Sequence, residues 1–351
     1  MRNGGFMAGQ DDRNRKGDGL AGAFTSALSL LGAGVRVLSG SALFDFALNP
    51  SSSQSIMARL GAGAAGGIDS FAPTGDPFRD EARSWFEASK QSVELPARDG
   101  GVLFGWLLPA DPVWASPDRH ALWSDFGRGR RYGIFCHGYT GKPSDLCVEA
   151  YLAHKAGINV LLPAARGHER NADRYVGMGW LDSWDLLGWT GLIVTCDPDA
   201  KIALYGVSMG GAEVMMASGL DLPGNVRCII EDCGYTSVWD EFSVQIGMQL
   251  HLPPIPFLSA ASAVCKRRAG YGFKEASSVN RLRSARVPML FIHGTADTFV
   301  PYEMLDKVFD ACASPEKERL SVEGAGHGMA SATNPDAYWG RVSAFLGRHL
   351  A

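Results

Sequence analysis

Gly206-Val207-Ser208-Met209-Gly210 is the segment that most restricts what this chain can become. It follows the apolar run Ile202-Ala203-Leu204-Tyr205, and the stretch from Met209 to Ser218 after it reads as helix. A G-x-S-x-G pattern between a strand and a helix marks a serine on a sharp turn, its hydroxyl exposed. A Cβ at either glycine would crowd that turn. In a chain with 43 glycines the motif alone is weak. Its weight depends on whether the other parts of a nucleophilic site are present and in order.

A serine hydroxyl near neutral pH needs a base to take its proton. That base is expected to be a histidine oriented by a carboxylate, both on loops at the carboxyl ends of later strands. Two such loops are readable. Phe291-Ile292-His293-Gly294-Thr295-Ala296-Asp297 offers Asp297, and Val322-Glu323-Gly324-Ala325-Gly326-His327-Gly328 offers His327. The order Ser208, Asp297, His327 is the one this fold uses. Asp232, which also follows a strand, is the alternative acid. His293 reads as structural, and His168 as a loop organiser.

The developing oxyanion needs donors. The Met209 amide is expected to be one. The second is expected to be the Tyr139 amide, in the loop after Ile134-Phe135-Cys136-His137-Gly138. A phosphate-loop reading of Gly138 to Lys142 fails, because Cys136 stands where glycine is needed and Pro143 follows the lysine.

Short apolar runs alternate with helix-like stretches along most of the chain. Strands are predicted at Gly133 to Cys136, Asn159 to Leu162, Ile202 to Tyr205, Cys228 to Glu231, Met289 to Ile292 and Leu320 to Val322. Ser92 to Leu95 and Val102 to Leu108, either side of Asp99-Gly100-Gly101, read as a hairpin. The expected class is α/β: a mostly parallel, doubly wound sheet with an antiparallel hairpin at its start. The division expected is an N-terminal hydrophobic segment with a Gly/Ser/Pro-rich linker over 1–77 and one domain over 78–351. Gly61, Gly63 and Gly66 fit G-x-G-x-x-G but lack the flanking strand and helix of a nucleotide site. Residues 234–280 are too long for a simple crossover and read as a small cap, the alternative being a helical excursion on the side. His137, Trp239, Phe242, Met248 and Phe257 are the expected substrate contacts, and Trp180, Trp184 and Trp189 read as core.

The net charge of −4, with only short basic clusters at Arg128 to Arg131 and Lys266 to Arg268, disfavours nucleic acid as a partner. Seven irregularly spaced cysteines point to free thiols and a reduced, cytoplasmic setting. No spacing suits zinc, so no metal and no cofactor are expected. Arg2, Arg13, Arg15 and Lys16 precede the apolar stretch Leu20 to Phe44, broken only by Arg36. Such a flank resembles a membrane anchor, but an uncharged run from Leu20 to Val35 is short of the about 20 apolar residues a span needs. A leader is the expectation, and insertion of residues 18–48 is the alternative.

On these residues the chain resembles the α/β-hydrolase superfamily over roughly 90–351. The matching segments are His137-Gly138, Arg166-Gly167-His168, Gly206 to Gly211, His293-Gly294-Thr295-Ala296-Asp297-Thr298-Phe299-Val300-Pro301 and Gly326-His327. Within it, Glu231-Asp232-Cys233-Gly234-Tyr235-Thr236-Ser237 and the cap-like insertion are similar to bacterial serine hydrolases, esterases or S9/S33-like peptidases, with a short N-terminal hydrophobic region. Ala164, Glu169 and Asn171 depart from the D-x-R-G-H-G-x-S of many relatives. The resemblance implies a serine hydrolase acting on carboxylic esters with an apolar acyl or alcohol part. A peptidase or amidase on the same machinery is the alternative, and a non-catalytic binding protein a further one. The expected partner is a small-molecule ester or peptide-like substrate.

Overall fold

Residues 202–205 show how the sheet is built. Ile202 and Leu204 face one apolar cluster and Ala203 and Tyr205 another, so the strand is buried on both faces. That is why the strand runs are continuously apolar and do not alternate with polar residues. The computed structural model describes residues 39–53, 55, 76–110, 130–172, 174–250 and 253–351. The basic N-terminal flank with most of the apolar stretch behind it, the Gly61 to Gly66 segment, Arg128, His120 and His251 lie outside the described residues.

Helix α1 (Gly40–Leu48) and helix α2 (Pro77–Ser89) precede the sheet. Strands β1 (Gln91–Pro96) and β2 (Val102–Leu108) form the hairpin. There follow β3 (Arg131–Cys136), α3 (Cys147–Lys155), β4 (Asn159–Pro163), α4 (Trp180–Cys196), β5 (Lys201–Val207), α5 (Met209–Ala217) and β6 (Val226–Asp232). Helices α6 (Val238–Leu250), α7 (Pro254–Arg268) and α8 (Ser278–Leu282) come next. The chain ends with β7 (Met289–Gly294), α9 (Glu303–Ala311), β8 (Lys317–Val322), α10 (Ala330–Thr333) and α11 (Pro335–Leu350).

The eight strands lie in the order β1-β2-β4-β3-β5-β6-β7-β8. β1, β2 and β4 pair antiparallel; every pair from β4 to β8 is parallel. The chain steps from β3 outward to β4 and then returns to the other side of β3 for β5. The order therefore reverses between β3 and β5, which opens a crevice at their carboxyl ends. The loop after β3 and the turn after β5 face each other there.

Three apolar clusters fill the molecule. One lies under α4, α5 and α9 and contains the fully buried Leu186, Leu204, Phe291 and Leu305. The second lies under α2, α3 and α11 and contains Ala150, Ile230, Tyr338 and Phe345. The third sits above the carboxyl ends of the strands, where α1, α6 and α7 meet Met209, Met216 and Val176. A bridge between Ser237 and Ser277 closes the base of the excursion that carries α6 and α7.

Helix α1 belongs to this third cluster. Phe44 and Leu48 are fully buried, and Asp45 pairs with Arg268 of α7 at 2.8 Å. A Cβ on Gly40 would stand 2.4 Å from the Ala260 carbonyl carbon, so the two helices pass at backbone contact. The carboxyl end of the segment read as a possible anchor is therefore covered by protein. No helix among the described residues is long and apolar enough to cross a membrane.

The three tryptophans of α4 also divide. Trp189 is core, with 1 % exposed. Trp180 and Trp184 are half-buried beneath the Arg281 guanidinium, at 4.5 and 5.1 Å from their rings.

Candidate active site

Ser208 joins β5 to α5 with φ 59° and ψ −116°, a conformation that costs energy for any residue with a Cβ. The surroundings enforce it. A Cβ on Gly206 would stand 2.0 Å from the Gly210 carbonyl oxygen, and one on Gly210 would stand 2.0 Å from that of Cys136. The first turn of α5 is thus pressed on the ends of β5 and β3. The Ser208 amide donates to the Asp232 carbonyl at 2.8 Å.

Two later loops bring the partners. His327 Nε2 lies 2.8 Å from Ser208 Oγ, and His327 Nδ1 lies 2.8 Å from Asp297 Oδ2. The other carboxylate oxygen of Asp297 accepts from the amides of Phe299 and Val300, at 2.9 and 3.0 Å. Burial by itself raises a carboxyl. Here the His327 charge and bonds from His293 and His327 outweigh it and hold Asp297 down at about 2. The Phe299 ring packs beside His327, with centroids 4.9 Å apart.

The loop after β3 reaches the serine from the other side. A Cβ on Gly138 would be 3.5 Å from the Ser208 Cβ, so the backbone approaches the nucleophile closely. His137 does not face a substrate, which corrects the reading of it as a contact. Its ring is 1 % exposed, and both nitrogens are engaged by backbone. Nε2 accepts from the Ala165 amide at 3.1 Å, so Nδ1 carries the hydrogen and donates to the Gly138 carbonyl at 2.8 Å. Burial, and then the neighbouring His168, push this imidazole down to about 3, which keeps it neutral.

His168 spans the same loop. Its Nδ1 meets the Arg166 carbonyl at 2.9 Å, and its Nε2 meets the carbonyl of Tyr139. Arg166 is held by a two-pronged pair with Asp185, at 2.6 and 2.8 Å, and by Asp99. The Tyr139 hydroxyl donates to the Ala47 carbonyl of α1.

The remaining expected residues are placed differently. Asp232 gives one oxygen to the Tyr338 hydroxyl at 2.8 Å, and that hydroxyl also meets Tyr205 at 2.6 Å. Burial pushes Asp232 up to about 6. Asp297, not Asp232, is the carboxylate bonded to His327. Phe242 spends its ring on Phe273 at 5.0 Å within the third cluster. Trp239 is half-buried under Lys274, Met248 is exposed, and Phe257 is half-buried on α7.

Sequence reading did not assign His293 or Gln245 to the site. His293 is wholly buried, with Nε2 2.9 Å from the Val300 carbonyl and 3.3 Å from Asp297 Oδ2. Burial works against its charge, yet the bond to Asp297 and the Asp297 and Glu231 charges raise it above the ordinary value. Gln245 Nε2 on α6 donates to the Phe299 carbonyl at 2.8 Å, tying the excursion to the Asp297 loop. The i to i+4 spacing of His293 and Asp297 was the only signal for the first. Nothing local signals the second.

The prolyl oligopeptidase family model matches residues 195–351, which hold Ser208, Asp297 and His327. The chain has the α/β-hydrolase fold. Its overall course is similar to esterase Pf2001 of Pyrococcus furiosus, with TM-score 0.56 and 20 % identity over 75 % of this chain and 93 % of that one. It is similar also to a puromycin-hydrolyzing peptidase of Mycobacterium tuberculosis, with TM-score 0.57 and 19 % identity over 75 % of this chain and 39 % of that larger one. The uncharacterized protein YqkD of Bacillus subtilis is 25 % identical over 214 residues, 61 % of this chain and 70 % of its own. With its serine motif set in this fold, the chain is a serine hydrolase.

Proposed function

We propose that this hydrolase cleaves carboxylic esters with an apolar acyl or alcohol part through an acyl-enzyme on Ser208. The observation that carries the reading is the continuous bond path Ser208 Oγ, His327, Asp297, with both links at 2.8 Å. His327 takes the serine proton as Oγ attacks the carbonyl, then delivers it to the leaving alcohol. Asp297 fixes the tautomer with hydrogen on Nδ1 and stabilises the imidazolium; its low value keeps it ionised throughout. The Met209 amide opens α5, where amide hydrogens lack partners in their own helix and the helix dipole is positive. With the Tyr139 amide it holds the oxyanion, a contribution of about 3–4 kcal/mol per donor in comparable sites. Water then repeats the sequence on the acyl-enzyme.

Preference for an apolar portion is supported by the make-up of the cap, residues 234–280, whose Phe242, Ile246, Leu258 and Phe273 form an apolar mass above the strand ends. The match to the prolyl oligopeptidase family favours a second reading, hydrolysis of peptide or aryl amides by the same residues. Turnover of p-nitrophenyl esters of graded acyl length, beside aminoacyl-nitroanilides, separates the two. The ester reading expects turnover of esters that is lost in Ser208→Ala, together with fluorophosphonate labelling of Ser208. Turnover of anilides alone selects the second reading, and neither turnover nor labelling removes both.

A further inference from the structure

Cys233 is a buried thiol that the proposed reaction leaves unused. It directly follows β6, is 1 % exposed, and holds φ at +48°. Its sulfur, one Asp297 carboxylate oxygen and one His327 ring nitrogen all lie within 4.8 Å of one another. Among the described residues this is the single place where three such ligand atoms converge.

We propose that Cys233, Asp297 and His327 form an inhibitory site for a thiophilic divalent cation, zinc or cadmium. Sulfur, imidazole nitrogen and carboxylate oxygen together suit such a cation, with the fourth position left to water. In a tetrahedral site with bonds of about 2.0–2.3 Å, ligand atoms stand roughly 3.3–3.6 Å apart, so the sulfur moves in by at most about 1.5 Å, and the His327 Nδ1–Asp297 Oδ2 contact, now 2.8 Å, opens if Nδ1 is the ligand. His327, with 17 % of its side chain exposed, gives the route from solvent.

The Asp297 carboxylate stands beside the sulfur and the imidazole nitrogen, so one of the three ligands is an anionic oxygen. A divalent ion there replaces the thiol proton.

Binding disables the base by either route. The Sγ proton leaves to solvent. If the cation takes Nδ1, that hydrogen moves to Nε2, which then cannot accept from Ser208. If it takes Nε2, the lone pair facing Ser208 is used up. The loss of turnover rests on the proposed role of His327; the binding does not.

The test uses full-length Ser208→Ala protein, which keeps all three ligands and does not turn over. Titration with cadmium chloride is expected to give an ultraviolet sulfur-to-metal charge-transfer band of one equivalent, removed by chelator. Adding Cys233→Ala is expected to abolish that component, and adding His327→Ala to weaken binding at least about tenfold. In active protein, zinc is expected to inhibit reversibly, and Cys233→Ala to require at least about tenfold more zinc. A cadmium band unchanged by both substitutions overturns the site, as does equal zinc sensitivity with and without Cys233. If no variant hydrolyses any ester or anilide, the hydrolase reading fails while the spectroscopic arm still decides the site.

Discussion

His293 Nε2 lies 3.3 Å from Asp297 Oδ2, the same oxygen that His327 Nδ1 reaches at 2.8 Å. One carboxylate oxygen thus serves two histidines, one facing the serine and one wholly buried. The buried ring also bonds the Val300 carbonyl, so it ties the acid to the far end of its own loop. His293→Phe keeps the bulk and removes the donor. The carboxylate then has one bond fewer holding its rotamer. The expected result is a fall in kcat of roughly 10–100-fold with KM little changed, the scale of losing a supporting bond behind a reacting group. Ester kinetics on folded variant, checked by near-ultraviolet circular dichroism, measures it. An unchanged kcat would show that His293 serves packing alone.

Gly210 bears on stability before it bears on chemistry. Its missing side chain lets α5 start against the end of β3, where a Cβ would meet the Cys136 carbonyl oxygen at 2.0 Å. Neither partner is a flexible side chain, so the backbone itself must move. Gly210→Ala is expected to destabilise by about 3 kcal/mol or more, beyond ordinary overpacking. It is also expected to displace Ser208 from His327. Gly224→Ala, with open space around its Cβ, is the control. Urea unfolding of both variants tests this, and equal midpoints would refute it.

Much of this was readable before the fold. The parallel strands announce themselves because burial on both faces leaves continuous apolar runs. The order Ser208, Asp297, His327 is visible because the first two follow such runs and His327 follows the short edge segment Leu320-Ser321-Val322. What was not readable depends on long-range partners. Helix α1 looks like part of an apolar leader because its partner, α7, is more than 200 residues away. His137 looks like a pocket residue until the Ala165 amide, delivered by β4, takes its Nε2. Cys233 looks like an isolated thiol until β7 and β8 place Asp297 and His327 beside it.

His137 gives a third prediction. Its Nδ1 hydrogen bonds the Gly138 carbonyl, and that carbonyl shares a peptide plane with the Tyr139 amide. Fixing one end of the plane fixes the direction of the other. His137→Ala is expected to lower kcat by roughly 10–100-fold, less than the about 10²–10³ lost when a donor itself is removed. His137→Asn, which can offer an N–H to the same carbonyl, is expected to recover part of the rate. Binding of a phosphonate transition-state analogue should weaken in parallel with kcat, while binding of a ground-state competitor should not. Equal weakening of both ligands would point to a general collapse of the loop.

Glu241 on α6 makes stability depend on pH. Its side chain is buried, with one oxygen accepting from Gln245 at 2.8 Å and the other without a hydrogen-bond partner among the described residues. Burial, only partly offset by the Gln245 bond, pushes the carboxyl up to about 8. The folded protein therefore keeps this proton where the unfolded chain has already lost it. Between about 4.5 and 8 the native state binds more protons, so stability is full below the lower value and falls as pH rises. The loss by pH 8 is on the order of 4 kcal/mol. Glu241→Gln carries no charge at any pH and keeps the oxygen that accepts from Gln245. It is expected to match wild type near pH 5 and to exceed it in unfolding free energy at pH 8. Urea unfolding at the two pH values measures the difference, and other titrating groups cancel because both proteins share them. A gap between the proteins that stays the same at pH 5 and pH 8 would mean that Glu241 is already ionised in the folded state.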